Sequence, residues 1–174
     1  MPKFATTFRA IPAALVLALA ACSSAPPPPV VTDTTTPAQR LAAVDKAAGV
    51  DDTELSVQPL RDPQVDDLRE RARRQREAGD LDGAARALDQ ALGMVADDPG
   101  VLQERADVAL LQGDWKGAES YAKRAVDLGS KTGPVCRRHW ATIEQARLAR
   151  GEKENAASAQ AQIEGCTVPG IKRY

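Results

Sequence analysis

The chain has 174 residues, a formal net charge of −1, 43% hydrophobic residues and only 3% aromatic ones. That length suffices for one modest domain, and the near-neutral balance argues against nucleic acid as a general partner. Abundant alanine with few aromatic residues suits close-packed helices better than a sheet.

Residues 1–21 read as a targeting segment. Lys3 and Arg9 supply a positive start, and Ile11 to Ala21 is an apolar run of 11 residues interrupted by Pro12. The run is too short to span a bilayer as a mature helix and fits a secretory signal. It ends in Leu19-Ala20-Ala21-Cys22, which resembles the lipobox of bacterial lipoproteins. The resemblance implies a diacylglycerol on the Cys22 sulfur, cleavage before Cys22 and acylation (palmitate) of the new amino terminus. An ordinary secretory signal that happens to contain a cysteine is the plainer alternative. Ser23, where an aspartate is absent, implies delivery to the outer membrane by the same resemblance, with the protein facing the periplasm. Cleavage there removes two bases and no acids, so the remainder carries about −3.

Residues 22–36 join the modified cysteine to a Pro- and Thr-rich tether. Four consecutive prolines make it semi-rigid, at about 3 Å per residue. Residues 37–62 comprise a short helix and an irregular linker. Thr36-Pro37 opens the helix as cap and first position, Gly49 stops it, and Leu41, Val44 and Ala48 share a face. It either docks on the following domain or fluctuates, since a single short helix is marginal in water.

Residues 63–165 repeat at a step of 34. Leu68-Arg69-Glu70-Arg71-Ala72 returns as Leu102-Gln103-Glu104-Arg105-Ala106, Gly79-Asp80-Leu81-Asp82-Gly83-Ala84 returns as Gly113-Asp114-Trp115-Lys116-Gly117-Ala118, and Ala91 returns as Ala125. Three helix pairs follow. Their helices run from Pro63 to near Gly79, Asp80 to about Ala96, Pro99 to Gly113, Asp114 to Gly129, Pro134 to Arg150, and Gly151 to before Gly165. Each internal turn is glycine then an acid: Gly79-Asp80, Gly113-Asp114, Gly151-Glu152. The glycine closes one helix in the left-handed conformation and the acid starts the next. Ala84, Ala118 and Ala156, with Ala72 and Ala106, let paired helices approach closely. Residues 166–174 form a tail.

These positions resemble the tetratricopeptide repeat, whose unit is a 34-residue helix hairpin. The resemblance implies an all-α fold, a short right-handed solenoid of about three hairpins that holds other proteins. The third unit departs from the pattern: Glu144 stands where a small residue is usual, and the second-to-third glycine step is 38 residues. By position, the resemblance assigns the concave partner-binding face to Arg69, Arg73, Arg76, Gln103, Asp107, Leu110, Arg138, Gln145 and Leu148. Such a groove, basic at its edges and apolar between, suits a peptide or helix carrying acids. A solvated arginine face is the bland alternative.

Once Cys22 is lipidated, Cys136 and Cys166 remain. They open and close the last hairpin, whose antiparallel helices bring these ends together, so a disulfide is expected in an oxidising periplasm. A metal site from Cys136, His139 and Cys166 is the alternative, though it lacks a fourth ligand. No catalytic constellation, Walker loop, dinucleotide fingerprint or zinc-protease motif occurs. The expectation is therefore a non-enzymatic scaffold without a cofactor, tethered by lipid, with a protein partner. Related lipoproteins act as adaptors for peptidoglycan enzymes or as assembly factors for pilus and secretion channels. A self-assembling structural protein of the envelope is the second reading.

Overall fold

A computed structural model describes residues 33–49 and 62–167. The targeting segment, Cys22, most of the tether, residues 50–61 of the linker and residues 168–174 lie outside the described residues.

Seven helices and no strand occur among the described residues: α1 Pro37–Ala48, α2 Pro63–Glu77, α3 Leu81–Met94, α4 Pro99–Gln112, α5 Trp115–Leu128, α6 Gly133–Ala149 and α7 Lys153–Gly165. None is long and apolar enough to cross a membrane. The fold is all-α, a stack of three helix hairpins preceded by α1.

Local chemistry sets the boundaries. Thr36 and Gln39 form a reciprocal capping box at α1, and Gly49 ends the helix at φ 67°. Asp62 and Asp98 cap α2 and α4, each followed by proline at the first helical position.

The three internal turns are the same structure written three times. Asp80 N–H donates to Gln75 O at 2.8 Å, Asp114 N–H to Ala109 O at 2.9 Å, and Glu152 N–H to Arg147 O at 3.0 Å. The preceding glycine donates to the carbonyl three residues back in each case. Gly79, Gly113 and Gly151 sit at φ 81°, 75° and 75°. This paired bonding satisfies carbonyls that a helix end leaves orphaned, and it requires a left-handed residue.

Gly83 and Gly117 have a different task. The Asp80 carboxylate accepts from Gly83 N–H and the Asp114 carboxylate from Gly117 N–H. A Cβ at either glycine would meet that carboxylate at about 2 Å. The Asp and the Gly three residues later are thus one device. In the third turn Glu152 makes no side-chain cap, and Asn155 replaces the glycine without conflict.

Packing follows the alanines. Ala84, Ala118 and Ala156 are buried at the crossings of each pair, with Ala72 and Ala106 opposite. Leu88, Leu102, Leu110 and Ile143 fill the wider spaces. Close-packed alanine contacts hold helices at short range, and the larger side chains supply most of the apolar area removed from water.

α1 does not pack on the hairpin that follows it in sequence. It lies across α4 and α6, the first helices of the second and third hairpins. Val44 is fully buried there in a cluster with Ala109, Leu110 and Ala141. α1 therefore docks, which decides between the two expectations for it.

Candidate protein-binding face

The face built by α2, α4 and α6 carries all nine candidate partner-binding residues, but it divides into two halves. Over the second and third hairpins α1 covers it. Over the first hairpin it is open among the described residues.

In the covered half the polar residues form one continuous chain. His139 Nδ1 lies 2.6 Å from Gln103 Oε1. The Gln103 amide donates to Asp107 Oδ1 at 2.7 Å and to Thr142 Oγ1 at 2.9 Å. Those two acceptors fix the amide orientation, so its oxygen faces the ring and the Nδ1–H donates. Arg138 then donates to Asp107 Oδ2 at 2.7 Å and to Asp45 Oδ1 on α1 at 2.6 Å. Arg40, itself buried, runs from α1 to the Gln145 carbonyl and stacks over the Trp115 ring at 5.6 Å from its centroid. Arg137 donates to the Ala48 carbonyl at the last turn of α1.

The electrostatics match this burial. Burial lowers the His139 pKa to about 4, with Arg138 and Lys131 adding to the effect, so the ring is neutral near pH 7. Burial pushes the Asp107 carboxyl up, against the pull of Arg138 and Gln103. Burial works against the Arg138 charge, but Asp107 and Asp45 outweigh it and raise its pKa. Burial also opposes the Glu119 charge on α5. Hydrogen bonds from Lys123, Arg150 and Arg147 override it and hold that carboxyl at about 2.

Gln103, Asp107 and Leu110 are buried in this half and do not present an open surface. Gln103 and Asp107 are engaged by Thr142, His139 and Arg138 of α6, and Leu110 packs with Val44 of α1, whose docking the 34-residue step could not place. Arg138, Gln145 and Leu148 are half-buried, and the first two are engaged by α1. Glu144, the residue that departs from the repeat pattern, is half-buried and its carboxyl is pushed up by burial. Sequence reasoning missed Arg40, whose signal was its place one helical turn before Val44 on the docked face.

In the open half, Arg69 clamps α2 to α4 through both oxygens of Glu104, at 2.9 and 2.5 Å. Arg73 is exposed and Arg76 partly so. They rim a groove between α2 and α4, floored by Ala72, Leu88 of α3 and Val108.

Cys136 and Cys166 are joined as a disulfide, Cα to Cα 5.7 Å, with Gly133 N–H donating to the Cys166 carbonyl beside it. Both sulfurs are bonded to each other, so the two cysteines of the metal alternative are not present as thiolates. No group of three or more His, Cys, Asp or Glu suited to a metal occurs among the described residues.

Comparison with known proteins then fixes the relationship. Among solved structures, the globular C-terminal domain of LpoP from P. aeruginosa matches at 31% identity and a TM-score of 0.57. The match covers 60% of this chain and 99% of that domain. The chain belongs to the LpoP family. No family model and no curated protein matches it.

Proposed function

We propose that this chain is a lipid-anchored scaffold of the tetratricopeptide type, held at the outer membrane and facing the periplasm. It binds a protein partner in envelope or peptidoglycan assembly. The observation that carries this reading is the groove between α2 and α4. It is the one stretch of the first-helix face that α1 leaves open among the described residues, and it combines an apolar floor with exposed arginines. Membership of the LpoP family and the Leu19-Ala20-Ala21-Cys22 motif support the anchored setting. Diacylglycerol on Cys22 supplies the anchor, and the tether lets the domain reach away from the lipid. Binding to a site concentrated at a surface raises the encounter rate of partners already there. The chain acts by docking and not by catalysis.

A photoreactive residue placed at Arg76 or Arg73 in living cells tests this. A covalent adduct with an envelope protein from these positions, and none from Lys153 on α7, is expected. Adducts from Lys153 alone would overturn the reading. Replacing Cys22 by serine is expected to move the protein from the membrane fraction to the soluble periplasm.

A further inference from the structure

The face of this protein already holds one helix, and that helix shows what the neighbouring groove takes. α1 seats in the groove between α4 and α6 by three kinds of contact. An apolar residue, Val44, enters the floor beside Leu110. An acid, Asp45, meets Arg138 on the rim at 2.6 Å. The last-turn carbonyl of Ala48 accepts from Arg137. One repeat earlier, the groove between α2 and α4 offers the same elements with no occupant among the described residues: floor residues Ala72, Leu88 and Val108, and rim cations Arg73 and Arg76. Its rim is more basic. Asp107, the counterpart of Arg73 one 34-residue step on, pairs internally with Arg138, and Leu110, the counterpart of Arg76, is apolar. The in-helix acid Glu70 contacts both Arg73 and Arg74 from their own helix, so it offsets the rim charge only in part.

We infer that the α2–α4 groove binds an acidic amphipathic helix of a protein partner, seated beside α1 and bonded through Arg73 and Arg76. This rests on the scaffold reading above and adds the partner's chemistry to it. The apolar floor supplies burial, and the two guanidiniums select acids on the flanks of the incoming helix. A helix with lysines there meets like charge at both positions and is rejected.

The probe is a synthetic, fluorescently labelled copy of residues 36–49 carrying R40A, A42E and K46E. These changes keep Leu41, Val44, Ala48 and Asp45, add two acids at positions that are exposed in α1, and remove the arginine that ties α1 to Gln145 and Trp115 in the groove already filled. A second copy carries Q39K and D45K. Binding to the full chain in detergent is read by anisotropy. The acidic copy is expected to bind at least about tenfold more tightly than the basic one. R73E/R76E in the protein is expected to reverse that order, and R73Q/R76Q, which brings no new acid beside Glu70 or Asp107, is expected to abolish the preference with thermal unfolding close to that of the parent. Three results would overturn the inference: no binding of the acidic copy, equal binding to parent and R73E/R76E, or a loss caused by R138E in place of R73E/R76E. The last would mean that the peptide displaces α1. The scaffold reading fails separately, in the photocrosslinking experiment, where a partner captured at Arg76 would stand even if the acidic copy does not bind.

Discussion

Asp45 on α1 and Asp107 on α4 share one guanidinium, that of Arg138 on α6. The two acids differ in setting: Asp45 is 56% exposed and Asp107 only 3%. Arg138 thus serves as a joint. One side closes a buried polar chain, and the other fastens a helix that arrives from a separate stretch of sequence.

The two halves of that joint should differ in cost. Arg138→Met leaves Asp107 buried without its cation and is expected to destabilise the fold by about 3–5 kcal/mol. Asp45→Asn removes an exposed partner and is expected to cost less than about 1 kcal/mol. Urea unfolding of the two variants checks the difference. Asp107→Asn added to Arg138→Met should recover part of the loss, because the stranded charge is gone.

Two glycines in equivalent helices should respond in opposite ways to alanine. Gly93 in α3 has nothing within 4 Å of an added Cβ, so Gly93→Ala is expected to stabilise by about 0.5–1 kcal/mol. Gly117→Ala drives a Cβ into the Asp114 carboxylate and breaks the cap on α5. Its helical gain is then outweighed, with a net loss of about 1 kcal/mol. Melting temperatures of the two variants should move apart.

Acid should unfold the protein in two windows. The His139 pKa is lowered from 6.5 to about 4, so the unfolded chain binds its proton first. Stability is full above about pH 6.5 and falls as pH drops toward about 4, by at most about 3 kcal/mol. The Glu119 pKa is lowered from 4.5 to about 2, so its contribution is present above pH 4.5 and is lost below it. His139→Asn is expected to flatten the upper window and leave the lower one. Denaturant midpoints measured across pH would show this.

The disulfide should matter most to the last hairpin. It closes a loop of 30 residues, and in the chain-entropy model its removal costs about 3–4 kcal/mol. Cys136→Ser with Cys166→Ser is expected to lower the midpoint by that amount. Thiol labelling under denaturing, non-reducing conditions should find neither cysteine free in the parent protein.

The hairpins were legible because each boundary has a local cause. Asp-Pro starts and Gly-acid stops act within one turn of chain, so Asp98-Pro99 and Gly113-Asp114 mark helix limits wherever the helices later pack. The pairing of Cys136 with Cys166 was legible too, since antiparallel helices fix which ends meet. The seat of α1 was not. Leu41, Val44 and Ala48 state that one face is apolar, but not that it skips α2 and settles on α4 and α6. That choice is made by contacts more than 60 residues away, such as Asp45 with Arg138. For the same reason Gln103 and Asp107 read as groove residues, when they form the buried chain beneath α1. Gly83 and Gly117 repeated visibly, yet their role appeared only once the Asp80 and Asp114 carboxylates were seen over them.

Hydrogen exchange across α1 in the full chain tests the account most directly. If α1 is a seated part of the face, its amides around Val44 exchange with protection comparable to the centre of α6, and Arg138→Met lowers it. If those amides exchange as fast as in an isolated helix of 12 residues, which is marginal in water, then α1 is not seated. The first-helix face would be open along all three hairpins, and the division on which the binding groove rests would be wrong.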